Sequence, residues 1–258
     1  MEKLRRIVFN VVLYITIVAI IAAVLVVLIF VVMKLNVYAA EGVNTRAVCV
    51  LIDPGHGAED GGAVSDSGAV EKDINLSVSL TLRDLLENAG FRVVMTRSGD
   101  EMAGTGDTLS EKRRDDFEKR LGMYNSDRAD IVVSIHQNKF TSPSEHGAQV
   151  FYSPNDSRSE TLARCIKRSF KGLLQPDNER EITKAGSNIY LLNNCENPCV
   201  LVECGFLSNP SESEMLSDPE YQRQTAFAVY CGILEYVSTG GSQRELPAAA
   251  QKVMHMIN

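Results

Sequence analysis

From residue 48 onward, apolar positions fall into short unbroken runs separated by longer stretches in which they recur every three or four residues. Val48-Cys49-Val50-Leu51-Ile52, Ile131-Val132-Val133-Ser134-Ile135 and Val200-Leu201-Val202 are such runs, the pattern of strands buried on both faces. Between the first two, Ile74, Val78, Leu82, Leu85, Leu86 and Ala89 form one stripe closed by Gly90, which predicts a helix. Phe91 to Thr96 reads as the next strand, and strand, helix and strand of this length make a right-handed βαβ unit.

Further along, Ser110 to Asp127 is a charged helix with Phe117, Leu121 and Tyr124 turned inward, and Ala148 to Tyr152 alternates as an edge strand. Leu162, Cys165, Ile166, Phe170, Leu173 and Leu174 mark a helix over 159–174. A polar loop over 175–187, a strand over 188–192 and a last helix over 219–237 complete the reading. The fold expected is α/β: one domain with a mixed, mostly parallel sheet of about six strands and helices on both faces.

The amino terminus breaks this pattern. From Ile7 to Met33 there is no charged residue, a run longer than the ~20 residues that span a bilayer. Lys3, Arg5 and Arg6 precede it and only Lys34 follows closely, which by the positive-inside rule leaves the amino terminus in the cytoplasm and the rest outside. The organisation expected is a cytoplasmic end (1–6), a transmembrane anchor or uncleaved signal (7–33), a linker (34–46), a catalytic domain (47–237) and a flexible tail (238–258) rich in Gly, Ser and Ala. Val37-Tyr38-Ala39 offers cleavage-site spacing as the alternative to an anchor. The protein would then be membrane-anchored through its amino-terminal helix, with the domain that follows extracytoplasmic, in the cell envelope.

Charge narrows the partners. The chain carries a net charge of -7, and residues 1–40 hold four basic and one acidic side chain, so the external part is more acidic still. That excludes nucleic acid, whose phosphates demand a basic face. Of six cysteines, Cys49, Cys165, Cys204 and Cys231 lie in apolar stretches and read as buried thiols. Cys195 and Cys199 are the best-placed pair for a bridge.

Each unbroken run delivers a chemically competent residue at its exit: His56 after Asp53-Pro54-Gly55, His136 after Ile135, and Glu203 after Val202. Parallel strands bring their carboxyl ends to one edge, where open α/β sheets bind ligands. Glu71 opens the first helix, either as a cap that complements the helix dipole or folded back toward His56. Two imidazoles and a carboxylate suit a catalytic zinc, which takes three protein ligands and leaves a position for water. His56, Glu71 and His136 fill that count with Glu203 as proton shuttle. The alternative makes Glu203 the third ligand and Glu71 a cap, and order along the chain does not separate the two. There is no His-Glu-x-x-His helix and no Gly-x-Ser-x-Gly elbow.

Four stretches together, Leu51 to Gly57, Glu71 with Asn75, Ser134 to Asn138 and Val202 to Asn209, resemble the zinc-dependent N-acetylmuramoyl-L-alanine amidases, over roughly residues 47 to 237. The resemblance implies that His56, Glu71 and His136 hold one Zn2+ and that Glu203 is the catalytic acid/base. It implies a peptidoglycan substrate, cut at the amide between the lactyl group of N-acetylmuramic acid and L-alanine. Tyr190-Leu191-Leu192 and the short anchored build look most like the germination-specific spore-cortex branch, in which amidase cleavage precedes muramic-lactam formation. Some cortex amidases need an accessory lipoprotein. The other readings are a catalytically impaired peptidoglycan-binding or regulatory protein, and a zinc peptidase cutting within the stem peptide.

Overall fold

The first apolar run is a strand, β1 (Cys49–Pro54), buried at all six positions. The computed structural model describes residues 48–126, 128–241 and 247–257, with residues 6 and 14. The span expected at 7–33 and the linker at 34–46 lie outside the described residues, apart from Tyr14, which like Arg6 is helical. Among the described residues no helix is long and apolar enough to cross a membrane.

After β1 come α1 (Glu71–Asn88), β2 (Arg92–Met95), α2 (Leu109–Tyr124), β3 (Ile131–Asn138), β4 (Gln149–Tyr152) and α3 (Arg158–Leu173). Then follow β5 (Thr183–Lys184), α4 (Tyr190–Asn194), β6 (Cys199–Phe206), α5 (Pro210–Ser217), α6 (Pro219–Ser238) and α7 (Ala248–Ile257). The strands form one six-stranded sheet in the order β2-β1-β3-β6-β4-β5. β2, β1, β3 and β6 are mutually parallel, whereas β4 runs antiparallel to β6.

Because side chains alternate across a strand, β1 and β3 each supply both faces. Val50, Ile52, Val133 and Ile135 meet α1, α3 and α6 in the larger core. Leu51 and Val132 meet Tyr124, Leu191 and Leu192 in the smaller one. Helices therefore cover both faces, as the unbroken apolar runs require.

Three local differences from the sequence expectation have physical causes. The strand expected over 188–192 is the short helix α4: Leu191 and Leu192 are both buried on one side of the sheet, which adjacent residues of a strand cannot achieve. The polar loop after α3 contains β5, so β4 is not the outermost strand and the edge is two residues long. Such a short edge offers little for another chain to pair with. In the tail, 248–257 forms α7, where Ala250 is buried and Val253 and Met254 pack on the larger core. The expected Cys195–Cys199 bridge is not formed, and both thiols are free and buried.

The carboxyl end of β1 is braced from behind. Asp53 is fully buried and accepts hydrogen bonds from Thr96 Oγ1 (2.6 Å), Ser134 Oγ (2.7 Å), Tyr124 OH (2.5 Å) and Arg120. Burial pushes its carboxyl up, but Arg120 and these hydroxyls outweigh burial and hold it well below the usual carboxylate range. Removing one member of a buried ion pair leaves the other charge uncompensated, so Asp53→Ala is expected to cost about 3–5 kcal/mol in urea denaturation. The loss would be smaller if Asp116, which also faces Arg120 at 3.3 Å, compensates.

Candidate functional site

Pro54 and Gly55 stop β1 and turn the chain so abruptly that His56 and Ala58 take left-handed φ values of 63° and 49°. Non-glycine residues there store strain of order 1–3 kcal/mol each, so surrounding contacts must hold the turn. Arg97 does much of this. The residue is 6% exposed, and its guanidinium donates to the carbonyls of Pro54 (3.0 Å), Gly55 (3.0 Å), Lys72 (2.8 Å) and Gly99 (2.9 Å). It thereby ties the turn to the start of α1.

Glu71 is the first residue of α1 and does not cap its own helix. The loop before it folds back so that Glu71 N donates to Ala63 O (2.9 Å) and Lys72 N to Gly61 O (3.2 Å). With those helix amides satisfied by backbone, the Glu71 carboxylate faces the strand ends. Its Oε2 accepts from Ala63 N (2.8 Å) and lies 3.3 Å from His56 Nε2. Its Oε1 accepts from Gln137 N (3.1 Å) and lies 3.0 Å from His136 Nδ1. Asn75, one turn along α1, bridges Glu71 Oε1 (3.4 Å) and Gly55 O (3.2 Å) and accepts from Gln137 Nε2 (3.2 Å).

The two imidazoles meet edge to face with centroids 5.0 Å apart. One donor atom from each of His56, Glu71 and His136 falls within 4.8 Å of the other two. Glycine makes this approach possible. A Cβ on Gly55 would lie 2.2 Å from the His136 ring, and one on Gly62, whose φ is 68°, would lie 2.5 Å from Glu71 Oε2. Glu203 sits beside them, because His136 and Glu203 are in register on the adjoining strands β3 and β6. Although the residue is partly exposed, its Oε2 is enclosed and has no hydrogen-bond partner among the described residues.

Burial raises Glu203 to about 8, with the Glu71 charge adding to the rise and His56 opposing it. Burial lowers His56, but hydrogen bonds to Asp60 and Glu71 prevail and lift it to about 9. The same contacts hold Glu71 far below its usual value against the opposing effect of burial. Both raised groups bind more protons folded than unfolded, Glu203 between 4.5 and about 8 and His56 between 6.5 and about 9. By linkage, stability must fall as pH rises through those windows. Thermal melts of the chelator-treated chain are therefore expected to drop most steeply between pH 6.5 and 8, where the windows overlap.

Two imidazoles and one carboxylate form a nitrogen and oxygen set of the kind that holds zinc. The neighbouring carboxylate oxygen that lacks a protein donor fits the same reading. All four residues singled out from the sequence converge here. His146, read as surface, is exposed, contacts Ser144 O and is not part of this cluster. Sequence reasoning missed Arg97 and Asp60. Asp60 lies four residues after His56, and its Oδ2 is 3.0 Å from His56 Nδ1; a carboxylate at that spacing in a glycine-rich loop was the available signal.

Residues 50–235 match the family described as N-acetylmuramoyl-L-alanine amidase. The chain belongs to that family. The amidase is 37% identical over 198 residues to the germination-specific N-acetylmuramoyl-L-alanine amidase of Bacillus subtilis, covering 76% of this chain and 82% of that relative. It superposes with TM-score 0.72 on the CwlD amidase of Clostridioides difficile, whose structure was solved in complex with the GerS lipoprotein. That match has 37% identity and covers 74% of this chain and 99% of the other. An N-acetylmuramoyl-L-alanine amidase of Clostridium difficile 630 is similar with TM-score 0.65 and 28% identity, over 76% of this chain and 99% of that one. This amidase is thus similar in sequence to a germination-specific amidase and in fold to an amidase solved with a lipoprotein.

Proposed function

We propose that the amidase is zinc-dependent and cleaves the amide between the lactyl group of N-acetylmuramic acid and L-alanine in peptidoglycan. The observation that carries this reading is the convergence of His56, Glu71 and His136 within 4.8 Å beside the enclosed, unpartnered Glu203 oxygen. Zinc bound by those three side chains would supply a Lewis acid for the amide carbonyl and acidify water.

His56 and His136 would act as neutral donors, so zinc uptake must release the His56 proton. Glu71 contributes the one negative donor, oriented by Ala63 N, Gln137 N and Asn75. Glu203 takes the proton of the attacking water and returns it to the leaving alanine nitrogen. A carboxyl raised by burial can hold that proton near neutral pH, and a nearby divalent charge pulls its affinity back toward the working range.

The likeness to the germination-specific amidase and to the amidase solved with a lipoprotein supports two further readings: the enzyme acts on spore cortex ahead of muramic-lactam formation, and it works with an accessory lipoprotein. The uncharged apolar run over 7–33 supports a third, that an anchor there holds the catalytic domain outside the cytoplasm. The deciding experiment digests cortex and vegetative sacculi with the full chain, with and without chelator, and identifies the products by mass spectrometry. Free L-alanine amino termini with an intact lactyl carboxylate on the sugar support the reading. Fragments cut inside the stem peptide would mark a peptidase, and no release from folded, zinc-loaded protein would mark a binding protein.

A further inference from the structure

The imidazole of His56 is held from its far side by a chain of charges that comes from another helix. Gly57 and Asp60 close the turn after His56 through reciprocal backbone hydrogen bonds, both 2.9 Å, so the Asp60 side chain is not what makes the turn. That side chain, 9% exposed, divides its two oxygens. Oδ2 lies 3.0 Å from His56 Nδ1, while Oδ1 lies 2.5 Å from Arg113 Nη2 and accepts weakly from Gly62 N at 3.3 Å. Arg113 stands in the first half of α2, and its neighbour Lys112 pairs with Glu59 at 2.6 Å. Two successive cations of α2 therefore fasten two successive carboxylates of the loop that carries His56.

We propose that Asp60 and Arg113 form a positioning pair for His56, fixing the ring so that Nε2 is presented to the divalent ion and thereby tying metal retention to helix α2. A carboxylate that accepts the Nδ1 proton leaves Nε2 as the lone-pair nitrogen and fixes the ring plane, and Nε2 is the atom that faces Glu71 here. Arg113 keeps the Asp60 carboxylate ionised and stops it swinging away. Neither residue is among the three candidate donors to the ion, so both act through His56. The inference rests on His56 being a zinc ligand.

The test is zinc binding by the full chain, measured in competition with a chromophoric chelator, for Asp60→Ala, Asp60→Asn, Arg113→Ala and Arg113→Lys. Asp60→Ala is expected to weaken zinc about 10–100-fold, the usual cost of losing such a partner, and Arg113→Ala by a smaller factor that Arg113→Lys restores. Nitrogen-15 spectra of His56 in the chelator-treated protein, recorded above pH 9 where the ring is neutral, are expected to show mixed tautomers in Asp60→Ala and one tautomer in the parent. A merely structural role would not move that signature. If Asp60→Ala fails to fold, the partly exposed Arg113 variants carry the decision. Zinc affinity and tautomer unchanged in the folded variants would overturn the pair while leaving the metal site standing. A folded parent that binds no zinc would overturn both.

Discussion

Glu203→Gln is expected to lower turnover on peptidoglycan about 10²–10⁴-fold, the range for a lost general acid/base, while zinc stays bound at one per chain. Glutamine fills the same volume within β6 but cannot accept and return a proton. KM should change little, since the substitution leaves the donors to the ion and the shape of the cleft alone. Because burial already raises Glu203 to about 8 and the enclosed Oε2 has no hydrogen-bond partner among the described residues, the neutral amide breaks no hydrogen bond at that atom and the fold should not suffer. Initial rates of amino-terminus release, read beside elemental analysis, separate the possibilities. Loss of zinc together with activity would make Glu203 a ligand and Glu71 its support, the assignment that chain order left open.

His136→Ala is expected to do what Glu203→Gln does not and remove zinc and turnover together. The variant deletes one of three donors and also frees Glu71 Oε1, which keeps only Gln137 N and Asn75 as partners. Activity should fall to background, at least the ~10²–10⁴-fold of a lost proton shuttle, with well under one zinc per chain after dialysis. The strand itself should survive, since His136 lies at its exit and the buried run Ile131 to Ile135 is untouched. Full zinc occupancy in folded His136→Ala would remove this residue from the ligand set.

The parts of the molecule that were legible in the sequence are those whose physics is local or repeated. Unbroken apolar runs identify β1, β3 and β6, because a strand buried on both faces needs no alternation. Such a run places the residue that directly follows it, as with His136 and Glu203, or that follows the turn closing it, as with His56. Glu71 was legible only as the first residue of a helix. Whether it capped that helix depended on whether Ala63 and Gly61 carbonyls would take its amides, a long-loop event that spacing does not encode. Arg97 carries no signal in the spacing, because its clamp on four carbonyls exists only once the loops are folded. The segment 188–192 carries strand-forming residues, yet burying Leu191 and Leu192 together against one face overrides that preference. Asn209-Pro210 announces α5, with Asn209 Oδ1 accepting from Ser211 and Glu212 amides, a signal present in the sequence and left unread.

His136 and Glu203 occupy matching rungs of β3 and β6, so the gap between them is set by the inter-strand spacing of ~4.8 Å rather than by any connecting segment. Segments such as 139–148, which join the outer ends of the strands, could then be exchanged for those of distant relatives to retune which wall polymer is admitted. The reactive spacing would be inherited intact.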